Sequence, residues 1–204
     1  TLNLSGTSAL TSAITGTGTT NIKDSFSTAK NIEQNNLSVT SGKTFTTSGN
    51  TTVNSTLGNS GTIANSGILT INAATGNTGT INDTGSIILN DNFSNSGSIT
   101  QNNLSIASGK TLTIDNNAEV TVNSAWTNAR SVDNSGDLSI KSGTTDERTN
   151  LGAISGSGNL ALQTGGYFTA DQIIANNLSN AGTLYAPLAN LTGSISNTGN
   201  LYTS

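Results

Sequence analysis

The chain repeats itself every 18 residues. NSGTIANSGILTINAATG from residue 59 is followed by NTGTINDTGSIILNDNFS from 77 and NSGSITQNNLSIASGKTL from 95. Gly61, Gly79 and Gly97 fall in one column, Ile63, Ile81 and Ile99 in a second, and Gly67 and Gly85 in a third. A fixed period near 20 with a glycine column and an aliphatic column marks a solenoid, in which each repeat buries its apolar face only by stacking on its neighbours. A longer repeat is superimposed. QNNLSVTSGKTF from 34 returns as QNNLSIASGKTL from 101, an offset of 67 residues, so some coils must exceed 18. Looser copies follow as NSGDL at 134, NAGTL at 180 and NTGNL at 197.

Between the glycines the pattern has period two. LTI at 69 to 71, LSI at 104 to 106, TLTI at 111 to 114, EVTV at 119 to 122, DLSI at 137 to 140 and NLAL at 159 to 162 alternate aliphatic with polar residues. These read as short strands with one dry and one wet face, and no segment sustains helical spacing. Asn and Gly both tolerate positive φ, so Asn59, Gly61, Gly67, Asn77, Gly79, Gly85, Asn95, Gly97, Gly136, Gly182 and Gly199 are expected to turn the chain at corners. The aliphatic residue two places after each glycine is expected to point inward. Asn side chains in register are expected to hydrogen-bond along the stack.

The fold class is therefore all-β, a single-stranded parallel β-helix (β-solenoid) of about 18–20 residues per coil, with roughly ten or eleven coils in a rod on the order of 50 Å long. Every sixth residue from Ile63 (Leu69, Thr75, Ile81, Ile87, Phe93, Ile99) comes close to the hexad rule of left-handed β-helices. The longer alternating strands and uneven coil lengths favour a right-handed helix, which is the expectation. Residues 1–204 are read as one elongated domain with a loop interruption around 125–150, centred on 144 to 149. That stretch holds the only Trp and seven of the eighteen charged residues. A second bulge is expected at GGYFTADQII, from 165.

Composition narrows the chemistry. Asn (30), Thr (35), Ser (28) and Gly (23) make up more than half of the 204 residues, yet net charge is only −4 and β-branched residues abound, which argues for a folded chain with a thin core. Cys, Met and His are absent, removing disulfides, thiol nucleophiles and imidazole acid–base chemistry. No cofactor and no metal site is expected, nor any Asp-rich calcium nonapeptide. Low basic content argues against nucleic acid, and no apolar run approaches the ~20 residues that span a bilayer. The opening TLNLSGTSAL has no positive or apolar leader region, so an excised fragment or mature form is expected, with any export signal outside it.

Each candidate site in the sequence also has a plainer reading. SGKT at 41 to 44 and 108 to 111 lacks the upstream glycine of a phosphate-binding loop, where Leu37 and Leu104 stand, and reads as a turn. Asp83, Asp91 and Asp115 lie near the regular coils, and Asp133, Asp137, Asp146 and Glu147 gather with Arg130, Lys141 and Arg148. A polysaccharide lyase or hydrolase would bring such groups together in one groove, whereas a solvated loop would scatter them. Thr62, Thr80 and Ser98 share a column that an ice-binding face would extend and that ordinary β-propensity also explains. Nine Asn-X-Ser/Thr sequons equal chance expectation. Trp126, Tyr167, Phe168, Tyr185 and Tyr202 either stack on sugar rings or fill the core and caps. The candidate binding residues are Trp126, Arg130, Asp146, Glu147, Arg148, Tyr167 and Phe168, with the Trp126 to Arg148 interruption the favoured site because loops carry function on rigid scaffolds.

N-S-G-T-I, N-T-G-T-I, N-S-G-S-I and N-A-G-T-L, with L-G-A-I-S-G-S-G-N-L-A-L at 151 to 162, resemble passenger regions of autotransporters and filamentous-haemagglutinin-like large exoproteins of two-partner secretion. The resemblance covers the chain from about residue 34 to its end. It implies a right-handed parallel β-helix secreted across the outer membrane and displayed on the bacterial surface as an adhesin or its stalk. Implied partners are host-cell or bacterial surface glycans or proteins, and further copies of the protein, with no nucleic acid and no membrane insertion by this segment. The Asn-Pro-Asn motifs of the two-partner secretion domain are missing, since Pro187 is the only proline. Nothing resembles a translocator barrel.

Overall fold

The computed structural model describes residues 1–5, 10–128, 131–141, 149–186 and 188–203. Its elements are all strands, joined by parallel pairings into a β-solenoid of about ten turns with about 18 residues per coil. In a regular coil, Thr62–Asn65, Ile68–Ile71 and Thr75–Asn77 form three successive faces before Thr80–Asn82 returns over the first. The inward column of the first face runs Phe45, Ile63, Ile81, Ile99, Val120, Leu138, Leu160 and Leu178, all buried. Ile32, Thr51, Leu69, Ile87, Leu104 and Trp126 line the second face, and Phe93, Leu112, Val132, Ile154 and Ile173 line the third. Burying each large aliphatic side chain contributes roughly 1.5–3 kcal/mol, so a core one side chain deep per face suffices when every coil repeats it. The six-residue spacing read from Ile63 to Ile99 is the spacing of these inward positions.

The corner glycines work differently from the sequence expectation. At Gly61, Gly67, Gly79, Gly85, Gly97, Gly136, Gly182 and Gly199 φ is outside the left-handed region, so no turn conformation demands glycine there. What demands it is the coil below. A Cβ on Gly79 would lie 2.2 Å from the carbonyl oxygen of Gly61, and one on Gly97 2.0 Å from that of Gly79. Positive φ occurs elsewhere, at Gly42 (71°) and Gly109 (76°), which are the glycines of the two SGKT segments, and these are the turns expected of them.

The corner asparagines depart from expectation as well. Asn59, Asn77 and Asn95 do not turn the chain at positive φ; they end strands and point inward, fully buried. Each amide nitrogen donates to the side-chain oxygen of the next coil, Asn59 to Asn77 and Asn77 to Asn95, both at 2.8 Å. Asn77 and Asn95 also donate to the carbonyls of Gly79 and Gly97, closing the corner. The ladder begins over Val39 and ends under Ile114, and the side-chain oxygen of Asn59, which faces Val39, has no partner among the described residues. At the next corner Asn65 occupies the inward slot, but Asp83 one coil later is turned out to solvent at φ 94°. Gln101, from the coil above, fills the gap and accepts a 2.9 Å bond from Asn65. A carboxylate in that slot would be desolvated without enough donors, which is the physical reason for the exchange.

The 67-residue repeat extends further back than the sequence showed. Gly16 and Asp83 are both at positive φ, and Gln34 and Gln101 sit at matching register shifts. Asn36 bonds Thr19 as Asn103 bonds Ser86. Because the offset is not a whole number of coils, the copies occupy different faces, with Phe26 stacked under Phe45 on the first and Phe93 under Leu112 on the third. The interruption expected over 125–150 falls partly on strands and partly outside the described residues. Strands run through Glu119–Asn128, Ser131–Asn134 and Asp137–Ile140, where Trp126, Val132, Leu138 and Ile140 keep the inward positions. Residues 142–148 lie outside the described ones.

Two substitutions test this account. Gly97→Ala should destabilise by roughly 1–3 kcal/mol through overpacking, whereas Gly58→Ala, whose added Cβ meets nothing closer than 3.7 Å, should be near neutral in thermal melts. Asn77→Ala should cost about 2–3 kcal/mol by leaving ladder groups unpaired. Asn77→Leu should cost less, because Val39 and Ile114 show that the column accepts aliphatic side chains. Equal losses in the last pair, measured by denaturation, would show that the cost lies in the lost hydrogen bonds and that an aliphatic side chain in this slot recovers nothing.

Candidate functional site

The residues singled out from sequence separate into three groups. Trp126 is 5% exposed and Phe168 0%, so both rings belong to the core and present no face to a ligand from outside. The Trp126 indole N–H is buried with no partner among the described residues. Arg130, Asp146, Glu147 and Arg148 lie outside the described residues. Only Tyr167 stands on the surface, half-buried, where it meets Tyr185.

The carboxylates are dispersed. Asp24 pairs with Lys43 at 3.0 Å, and Asp91 with Lys110 at 2.6 Å, the same contact in the two copies of the 67-residue repeat on different corners. Ser25 and Asn92 support them equivalently, accepting from the backbone N–H groups of Thr44 and Thr111. Asp115 accepts from the hydroxyls of Ser94 and Ser96. Asp133 is exposed, and Asp137 accepts from Asn159, which in turn accepts from Asn177. Glu119 and Asp137 are in register on adjacent coils, beside a shallow groove of about 180 Å³ floored by Ser139, Ala161 and Ser179. Among the described residues no three acidic side chains come close enough to hold a metal ion. The threonine column of the first face is one coil longer than the sequence showed, running Thr44, Thr62, Thr80 and Ser98.

The Lys110 ammonium, bonded to Asp91, and the backbone N–H of Asn92 hold the Asp91 carboxyl below its ordinary value of 3.8. A depressed carboxylate contributes stability that is present above that ordinary value and lost as pH falls through the folded-state value. The side chains are 35% and 30% exposed, so salt screens the pair. Asp91→Asn should therefore flatten the acid limb of melting temperature against pH below about 3.8, and the difference from wild type should shrink at high salt. Superimposable acid limbs would remove the pair from the account.

The second face carries a feature that no sequence pattern announced. Tyr185 and Tyr202 are in register and stack with ring centroids 4.4 Å apart and planes 7° from parallel, and Tyr167 leans on Tyr185 at 5.9 Å. The corner leading to this face changes length coil by coil. Four residues separate Leu162 from Tyr167, but two separate Asn180 from Thr183 and Asn197 from Asn200. The two extra residues put Thr164 and Gly165 (φ 83°) on the outside as a ledge, which is the bulge expected near GGYFTADQII. Beside it opens a notch of about 200 Å³ lined by Gly165, Gly166, Tyr167, Gly182, Thr183 and Asn200. Two sequence signals point to this corner: the adjacent aromatics of GGYFTADQII and the glycine spacing of NAGTL and NTGNL. The fold and these surfaces define the chain as a β-solenoid. Compared with known proteins, it matches no family model, no curated protein and no solved structure.

Proposed function

We propose that the chain is a rigid extracellular β-solenoid segment of a bacterial surface adhesin, mediating or presenting attachment to host cells, surfaces or other bacteria. The observation that carries this reading is the stack itself. Each coil adds length without enlarging the core, and outward positions are filled by short neutral side chains such as Thr62, Thr80 and Ser98, repeated at one coil spacing. Such an element extends a chain and offers many weak contacts. The likeness of its N-S-G-T-I repeats to autotransporter and filamentous-haemagglutinin-like passengers supplies the surface location and partners: glycans or proteins of host or bacterial surfaces, and further copies of the protein.

A polysaccharide-active enzyme needs at least three acidic or basic groups converging in one groove. The described residues bring only Glu119 and Asp137 beside one, which favours the structural reading. A passive stalk shares the fold and differs only in lacking an adhesive surface.

Beads coated with the purified chain, offered to host cells, abiotic surfaces and one another, should adhere saturably and be competed by soluble chain. Absence of adhesion to all three would reduce the segment to a spacer.

A further inference from the structure

We infer that the notch beside the Thr164–Gly165 ledge is a subsite for one neutral sugar residue of a surface glycan. The inference rests on the adhesive reading and gives it a ligand class and a place. At about 200 Å³ the notch is smaller than the ~300–1,000 Å³ of sites for drug-sized ligands, so it takes a single small unit. Its lining suits a sugar ring. Tyr167 supplies an aromatic wall for the apolar C–H face of a pyranose, and the Thr183 hydroxyl and Asn200 amide supply donors and acceptors for its hydroxyl rim. Gly165 leaves its side of the approach free of a side chain, and no lining residue is charged, so an anionic sugar finds no counter-ion.

An extended peptide fits less well. The backbone N–H groups of Thr183 and Asn200 already donate to the carbonyls of Gly166 and Gly182, so the corner offers those amides to no added strand. The extra residues form a four-residue turn like those at 40–43 and 107–110, where Gly42 and Gly109 also take positive φ. Coils above make the same corner with Ala181–Gly182 and Thr198–Gly199, and a Cβ on Gly165 would meet nothing within 4 Å. The ledge is a wall with open space beside it.

The test uses ligand-observed NMR with methyl glycosides of glucose, galactose, mannose and N-acetylglucosamine, and with sialic acid as the charged arm. Wild type is compared with Thr183→Val and with a variant lacking Thr164 and Gly165, whose corner then has the two-residue length of its neighbours. Circular dichroism and melting temperature confirm that each variant folds. At least one neutral glycoside should bind saturably, with affinity reduced about fivefold or more in both variants. No saturable binding by any neutral glycoside, unchanged affinity in folded variants, or tighter binding of sialic acid would overturn the inference. Bead adhesion separates the two readings. Adhesion that no glycoside competes, together with no glycoside binding, sinks the subsite and leaves the adhesin. Glycoside binding that the variants lose, with no bead adhesion to any surface, keeps the subsite and sinks the adhesin.

Discussion

The structure depends on how closely one coil's backbone approaches the next at the corners. Along the faces, parallel pairing holds strands at about 4.8 Å. At the corners there is no room for a Cβ between the α-carbon of one coil and the carbonyl of the coil beneath, as the Gly61, Gly79 and Gly97 column shows. A single bulky residue there would open the stack on both sides, because each carbonyl also accepts the next coil's N–H: Thr80 donates to Gly61, and Ser98 to Gly79. Glycine is required by the neighbour rather than by the local turn.

That constraint shapes the interior. Strands ending at tight corners place an inward residue within reach of the corner backbone, and an amide fills this position by bonding both its own turn and the next coil. Asn59, Asn77 and Asn95 do so in series. Where Asp83 replaces the amide, the carboxylate goes outside and Gln101 reaches across. The amides of this ladder are tolerable inside a solenoid because the repeat sets Asn59, Asn77 and Asn95 within hydrogen-bonding distance of one another.

Extra residues leave the stack outward at all three corners: four residues separate Val39 from Thr44 and Ile114 from Glu119 between the third and first faces, Ile106 from Thr111 between the second and third, and Leu162 from Tyr167 between the first and second, against two from Asn180 to Thr183. Each longer corner gives the otherwise flat surface relief, and the one at 163–166 lies beside the stacked tyrosines. The duplicated Lys–Asp pairs are different in kind, since they repeat with the 67-residue module and sit on separate corners, as a structural clamp would.

The 18-residue period, the alternating strands and the inward aliphatic columns were legible in the sequence, because periodicity states directly which positions face the core. Parallel stacking followed from them. The role of glycine did not, since a residue without a side chain looks the same whether φ or a neighbouring carbonyl requires it. Nor did the fate of the aromatics. Trp126 and Phe168 went inside and Tyr167, Tyr185 and Tyr202 outside, which register alone assigns when coil lengths vary from 15 residues between Ile173 and Leu188 to 22 between Leu138 and Leu160. Local sequence determines the rung. Only the stacking of unequal rungs decides which residues, far apart in the chain, share an edge such as the one holding Tyr167, Thr183 and Asn200.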